Sequence, residues 1–309
     1  MTEIYFYRRK IGLALTLILT LMTFATSKGE AHPLQDRQKL VADERPTAPS
    51  PPKQNSSKQS QSHPFIASSV QFNRPPLSPR GAPGNRKGGG TRDGHNCSAL
   101  KIKERLIALV PTIESEQAIS HVWGLTVEAS PTLWFYVPYL PNDIKVGELE
   151  LWDETDREPR NYQQIYQGTF TVTGTPGAIG LSLPSTVKLE LGKNYHWYLS
   201  LNINCNGENE SVNVNGWIQR VKFNNTFLAQ PQLAERDRVI LYAQKGIWYD
   251  ALTLLAQLRR HHPNTKILVS DWQKLLKDVG LEEFANKPTA PCCTLEFSGE
   301  IRVSTPPQD

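Results

Sequence analysis

The sequence predicts a mainly β protein, a sandwich of short strands followed by a small C-terminal helical segment. Three observations carry this. Runs of β-branched and aromatic residues recur between residues 100 and 224, separated by turn residues. Most of these runs alternate apolar and polar side chains, the pattern of a strand buried on one face. After Phe223 the apolar period lengthens to about 3.6, the spacing of an amphipathic helix.

In chain order, strands are expected at Thr132–Val137, Gly147–Trp152, Tyr162–Val172, Ala178–Leu183, Tyr195–Asn202 and Val212–Val221. In the fifth, Tyr195, Trp197, Leu199 and Leu201 share one face, and His196, Tyr198, Ser200 and Asn202 share the other. Pro141-Asn142, Gly174-Thr175-Pro176-Gly177 and Asn206-Gly207 supply turn chemistry. The stretch Leu189-Glu190-Leu191-Gly192-Lys193-Asn194-Tyr195 resembles the tyrosine corner of immunoglobulin-like and fibronectin type III domains. An immunoglobulin/fibronectin-III-like sandwich is therefore the expected architecture.

Three helices follow. Leu233 to Gln244 has helical spacing and meets Gly246, placed as a C′ glycine. The second places Trp248, Ala251, Leu252, Leu255 and Leu258 on one face, with Asp250 in its first turn and Arg259 and Arg260 in its last. The third runs from about Lys266 to Val279 and stops at Gly280. The spacing from Tyr242 to Pro263 is similar to one tetratricopeptide repeat, and a single repeat is expected to pack on the sandwich rather than form a solenoid.

The rest of the chain divides by composition. Arg8, Arg9 and Lys10 precede an apolar run from Ile11 to Phe24 and then small residues, the layout of a signal peptide over residues 1–27 cleaved after Ser27 or Ala31. The apolar run is shorter than the roughly 18 to 20 residues of a membrane-spanning helix. Residues 28–79 read as a disordered linker rich in Pro, Ser and Gln. A basic, glycine-rich segment, 80–99, leads into the β-domain at 100–224, the helices at 225–288 and a tail at 289–309.

Export bears on the four cysteines, since an oxidising compartment favours pairing. Sequence alone leaves three connectivities. Strain between adjacent cysteines favours Cys97 with Cys205, leaving Cys292 and Cys293 to pair outward or stay reduced. The glycine-rich segment offers no phosphate loop, because Lys87 lies before the glycine triplet and Gly90 meets Thr91 directly. What it does offer is a basic docking strip, Arg80, Arg86, Lys87 and Arg92, in a chain of net charge +4. No nucleic-acid signature accompanies the strip.

Read together, "RGAPGNRKGGGTRDG", "GLTVEASPTLWFYVPY", "GTPGAIGLSLP", "GWIQRV" and "ILYAQKGIWYDALTLLAQLR" resemble the cyanobacterial family described as domain of unknown function 928. The resemblance runs in order from Arg80 to about Asn286. It implies a cyanobacterial, exported protein and supplies no catalytic residues.

No catalytic set emerges from the sequence. Asp93, His95 and Cys97 are nucleophile-type residues on a glycine-flanked loop that would hold them poorly. Glu148, Glu150, Asp153, Glu154 and Asp156 read as solvent-facing partners of Leu149 and Leu151. The expected function is an exported, non-catalytic envelope protein without cofactor or metal, an interaction or scaffold module for an envelope protein or an anionic or polysaccharide polymer. Membrane contact is expected only through export or an uncleaved anchor. One alternative is a carbohydrate-binding module using an aromatic face of Trp134, Tyr136 and Tyr139. A second is a thiol or carboxylate hydrolase, which needs His95 or His196 beside a reduced Cys97.

Overall fold

The computed structural model describes residues 69–77, 81–89, 97–100, 102–115, 119–223, 233–290, 293 and 295–297. The signal segment and its cleavage points, the linker as far as residue 68, Arg80, Arg92, Asp93, His95, Cys292 and residues 298–309 lie outside the described residues.

Among the described residues the chain forms eleven strands and three α-helices. The strands are β1 (Asn85–Gly89), β2 (Ile107–Ala108), β3 (Thr112–Glu114), β4 (Ser120–Thr126), β5 (Thr132–Val137), β6 (Ile144–Asp153), β7 (Gln163–Phe170), β8 (Gly177–Ser182), β9 (Asn194–Cys205), β10 (Glu208–Arg220) and β11 (Leu295–Phe297). The helices α1 (Glu235–Gln244), α2 (Trp248–His261) and α3 (Lys266–Lys277) follow β10. All three fall where the change of period places them. No helix among the described residues is long and apolar enough to cross a membrane.

The sheet is continuous and curled, in the order β11-β7-β6-β9-β10-β1-β2-β5-β8. Neighbours on this path are antiparallel, whereas β4 joins β10 in parallel and carries β3 on its other side. Curling brings β5 across the core from β9, where Phe135 meets Trp197 edge to face with ring centroids 5.5 Å apart. The β9–β10 hairpin turns at Asn206 (φ 58°) and Gly207 (φ 101°), the paired positive φ values that suit Asn-Gly. On β9, Tyr195, Trp197, Leu199 and Leu201 are buried as their alternation requires. The Tyr195 hydroxyl accepts the Glu190 backbone N–H at 2.9 Å across the turn that the tyrosine-corner string marks.

Two N-terminal stretches depart from the sequence reading. The basic segment read as a docking strip contains β1, which uses its backbone to connect the two arms of the sheet, pairing with β10 on one side and β2 on the other. The linker assigned to 28–79 ends in a packed stretch. Val70 and Phe72 are buried, Phe72 meets Trp248 edge to face, and the Asn73 N–H bonds the Ala243 carbonyl at 3.1 Å. Two large apolar side chains spaced by one residue offset the ordering of this short stretch. The path also explains Gly246 (φ +73°), because a Cβ there would lie 2.7 Å from Cδ of Pro75.

The helices pack on the sheet. Trp248 donates its indole N–H to the Leu109 carbonyl at 2.8 Å. The Tyr249 hydroxyl accepts from Trp197 and donates to the Trp217 carbonyl, each at 3.0 Å. Both faces of β5 are consequently buried, one on β9 and the other under α2 and the 3-10 turn at Glu282–Phe284.

Candidate functional site

A concave site lies where α1 and α2 cross the connection between β4 and β5. Gly246 ends the α1 turn in the left-handed region, and α2 starts two residues later, which places Asp250 in its first turn. The first-turn N–H groups and the helix dipole favour an acidic side chain there. Packing then removes that side chain from water, leaving Asp250 only 7% exposed. Its Oδ2 accepts the Val127 N–H at 3.3 Å, while Oδ1 has no hydrogen-bond partner among the described residues. Burial pushes the carboxyl up to about 7 with help from the Glu128 charge, against the opposing bonds from Thr126 and Val127.

The cleft above Asp250 has a volume of about 310 Å³. Thr126, Glu128, Ser130 and Thr132 line its β side, and Arg238, Tyr242, Tyr249, Thr253 and Gln257 line its helical side. The Nε of Arg238 is buried and, like Asp250 Oδ1, has no hydrogen-bond partner among the described residues. Burial and the charges of Asp250 and Glu128 raise the Tyr242 phenol, while Arg238 lowers it. Burial holds the Tyr249 phenol far above its ordinary range.

A second polar cluster lies on the outer face of β9. His196 stacks on Trp217 at 4.3 Å between centroids, and its Nδ1 lies 2.7 Å from the Tyr198 hydroxyl and 3.1 Å from Glu154 Oε1. Its Nε2 lies 3.1 Å from Asn215 Oδ1. Both ring nitrogens are engaged, and Tyr198 is raised by burial and the Glu154 charge. This is a satisfied network that ties β6 to β9 and β10. Glu154, read from alternation as solvent-facing, is buried within it.

The residues singled out from sequence take structural places. Cys97 and Cys205 form a disulfide with Cα atoms 4.7 Å apart, so a reduced Cys97 nucleophile is not present, and His196 is committed elsewhere. Cys293 is disulfide-bonded as well, rather than reduced. Trp134, Tyr136 and Tyr139 are 3%, 1% and 4% exposed and form no outward aromatic face. Instead the Trp134 indole donates to Thr253 at 3.0 Å, and Tyr136 packs on Phe284 and donates to Glu104. In the basic strip, Lys87 is exposed, but Arg86 turns inward to the carbonyls of Val279 (3.0 Å) and Gly280 (3.4 Å) beyond α3. Burial lowers its pKa, consistent with a structural cation at a helix end.

Asp250, Arg238, Glu128 and Tyr242 were not legible as a group. Asp250 reads locally as a first-turn acid, and the one signal against that reading is its place between Tyr249 and Ala251 in a run that is otherwise apolar.

Fold and cleft together define a β-rich domain with a helical layer that walls a small polar site. Residues 87–289 match the family model described as Domain of Unknown Function (DUF928), and the chain belongs to that family. No curated protein and no solved structure matches it. Every cleft-lining residue named above except Arg238 lies in one of two strings, Gly124–Tyr139 and Ile240–Arg259, by which the family resemblance is read.

Proposed function

We propose that the chain is an exported, non-catalytic binding module of a cyanobacterial envelope, built on an immunoglobulin-like sandwich variant, and that it holds its ligand in the Asp250 cleft. The observation that carries this reading is the pair of buried, unpartnered polar atoms, Asp250 Oδ1 and Arg238 Nε, in one cleft. Buried polar groups ordinarily have partners, and a pocket with a few convergent polar groups is the usual form of a ligand site. Export is supported by the leader-like first 27 residues and by the Cys97–Cys205 bridge, which suits an oxidising compartment. The Cys97–Cys205 bridge and the hydrogen-bonded His196 take up the thiol and the imidazole that a thiol-hydrolase reading requires.

The test is retention of solubilised envelope extract by the immobilised protein, wild type against Gln257→Trp and Glu128→Trp. Both side chains are exposed at the rim, so the substitutions block the mouth without disturbing the core. Loss of retained material in both variants is expected, and unchanged retention overturns the reading.

A further inference from the structure

We propose that the cleft takes a zwitterionic, amino-acid-like ligand, with its ammonium group on Asp250 and its carboxylate on Arg238. This rests on the binding reading above and names the ligand class for that site.

The inference comes from which polar groups of the cleft are already spent. The Ser130 hydroxyl donates to the Val187 carbonyl at 2.7 Å, and Thr132 shares a 2.8 Å bond with Ser182. Thr253 accepts the Trp134 indole N–H, and the Tyr249 hydroxyl is engaged by Trp197 and Trp217. A neutral polyol entering the cleft would therefore find most hydroxyl partners occupied. Besides Tyr242 and Gln257 at the helical wall, what remains open is charged and of both signs. Asp250 Oδ1 is an acceptor without a donor, and Arg238 Nε is a donor without an acceptor. Neither side chain forms an ion pair with another described residue. A ligand bearing both charges answers each atom with a charge-assisted hydrogen bond, the strongest polar contact open to it.

Placement and size agree. Arg238 lies one turn before Tyr242 on α1, Asp250 comes from α2, and Glu128 stands at the rim from the β4–β5 connection. Arg238, Asp250 and Glu128 line one small cleft, which suits a small ligand carrying both charges. At about 310 Å³ the cleft is at the lower end of ligand sites and suits a single amino-acid unit. Such a unit arrives either as a free amino acid or as a diamino acid of a wall peptide that keeps one amine and one carboxylate free. An ammonium group on Asp250 fixes its carboxylate in the charged form, so binding near neutral pH releases a proton, with Glu128, Arg238, Tyr242 and Tyr249 as the other ionisable groups facing the site.

The experiment is titration calorimetry of the full, disulfide-bonded chain with alanine, diaminopimelate, N-acetylalanine, alaninamide and sucrose in buffers of different ionisation enthalpy. Blocking either the amine or the carboxylate should weaken binding by about tenfold or more. Asp250→Asn should lose the amine preference and the proton release, and Arg238→Gln should lose the carboxylate preference. Binding of alanine supports a free amino acid, and binding of diaminopimelate alone supports a wall peptide. Sucrose binding as well as alanine, or blocked forms binding as well as the parent, overturns the ligand class. If no probe binds while Gln257→Trp still abolishes envelope retention, the class is wrong and the binding site stands. If Gln257→Trp changes nothing, the underlying reading has failed.

Discussion

The Tyr195 hydroxyl reaches back five residues to accept the Glu190 backbone N–H at 2.9 Å, closing the turn that leads into β9. The ring is fully buried, so the bond is shielded from water. Tyr195→Phe keeps the ring and strands the N–H, which should cost about 1 to 2 kcal/mol in urea unfolding. An unchanged midpoint would show that the corner contributes nothing to stability.

Asp250 makes stability depend on pH. Its folded pKa of about 7 stands above the ordinary 3.8, so the folded chain holds this proton more tightly than the unfolded one. The resulting stabilisation is full below the ordinary value and is lost as pH rises through about 7. Asp250→Asn removes this dependence, and relative to wild type it should gain stability as pH rises from about 4 to about 7, by up to roughly 4 kcal/mol. Parallel stability curves for the two proteins across that range would refute the assignment.

The Cys97–Cys205 bridge spans 108 residues of sequence. Closing so long a loop in the unfolded chain is worth about 2 to 4 kcal/mol. Non-reducing peptide mapping should return the cross-linked pair, and Cys97→Ala with Cys205→Ala should lower the unfolding midpoint by a matching amount. Recovery of an alkylatable Cys97 from native protein would restore the thiol-hydrolase reading.

Phe72 fills a site beside Trp248 although it lies outside the β-domain in sequence. Phe72→Ala should cost about 3 kcal/mol or more by opening a cavity between the N-terminal stretch and α2. Arg74→Ala, at an exposed side chain that caps carbonyls of Thr112 and Asp278, should cost no more than about 1 kcal/mol. Equal effects from the two variants would mean that burial of Phe72 does not hold the stretch in place.

What the sequence disclosed follows from how local each signal is. The run TLWFYV is β5 end to end, the Asn206-Gly207 turn is where the dipeptide places it, and all three helices follow their apolar spacing. These depend on neighbours within a few residues. By contrast, β1 has glycine and basic residues that favour no strand, and it exists because β10 and β2 offer backbone partners on either side. Alternation in β5 separates Trp134 and Tyr136 from Phe135, but it cannot say that a helix covers the second face. The cleft was least legible, because the burial of Asp250 depends on the β4–β5 connection, which is remote from it in sequence. Tyr195 is the informative exception, since a corner with a seven-residue signature remained readable although its bond serves the tertiary fold.

The N-terminal stretch is fastened to the far end of the chain. Phe72 N–H bonds the Asp278 carboxylate at 2.9 Å across 206 positions, and Arg86 reaches the Val279 carbonyl across 193. A chain synthesised from its N-terminus therefore offers the Phe72 N–H and the Arg86 guanidinium these partners only after nearly all of the domain has been made. Contacts of such sequence separation form late and slowly. These two ties are thus among the last contacts to form, and a nascent chain stopped short of α3 would seat Phe72 on Trp248 without the bonds that fasten the N-terminal stretch to Asp278 and Val279.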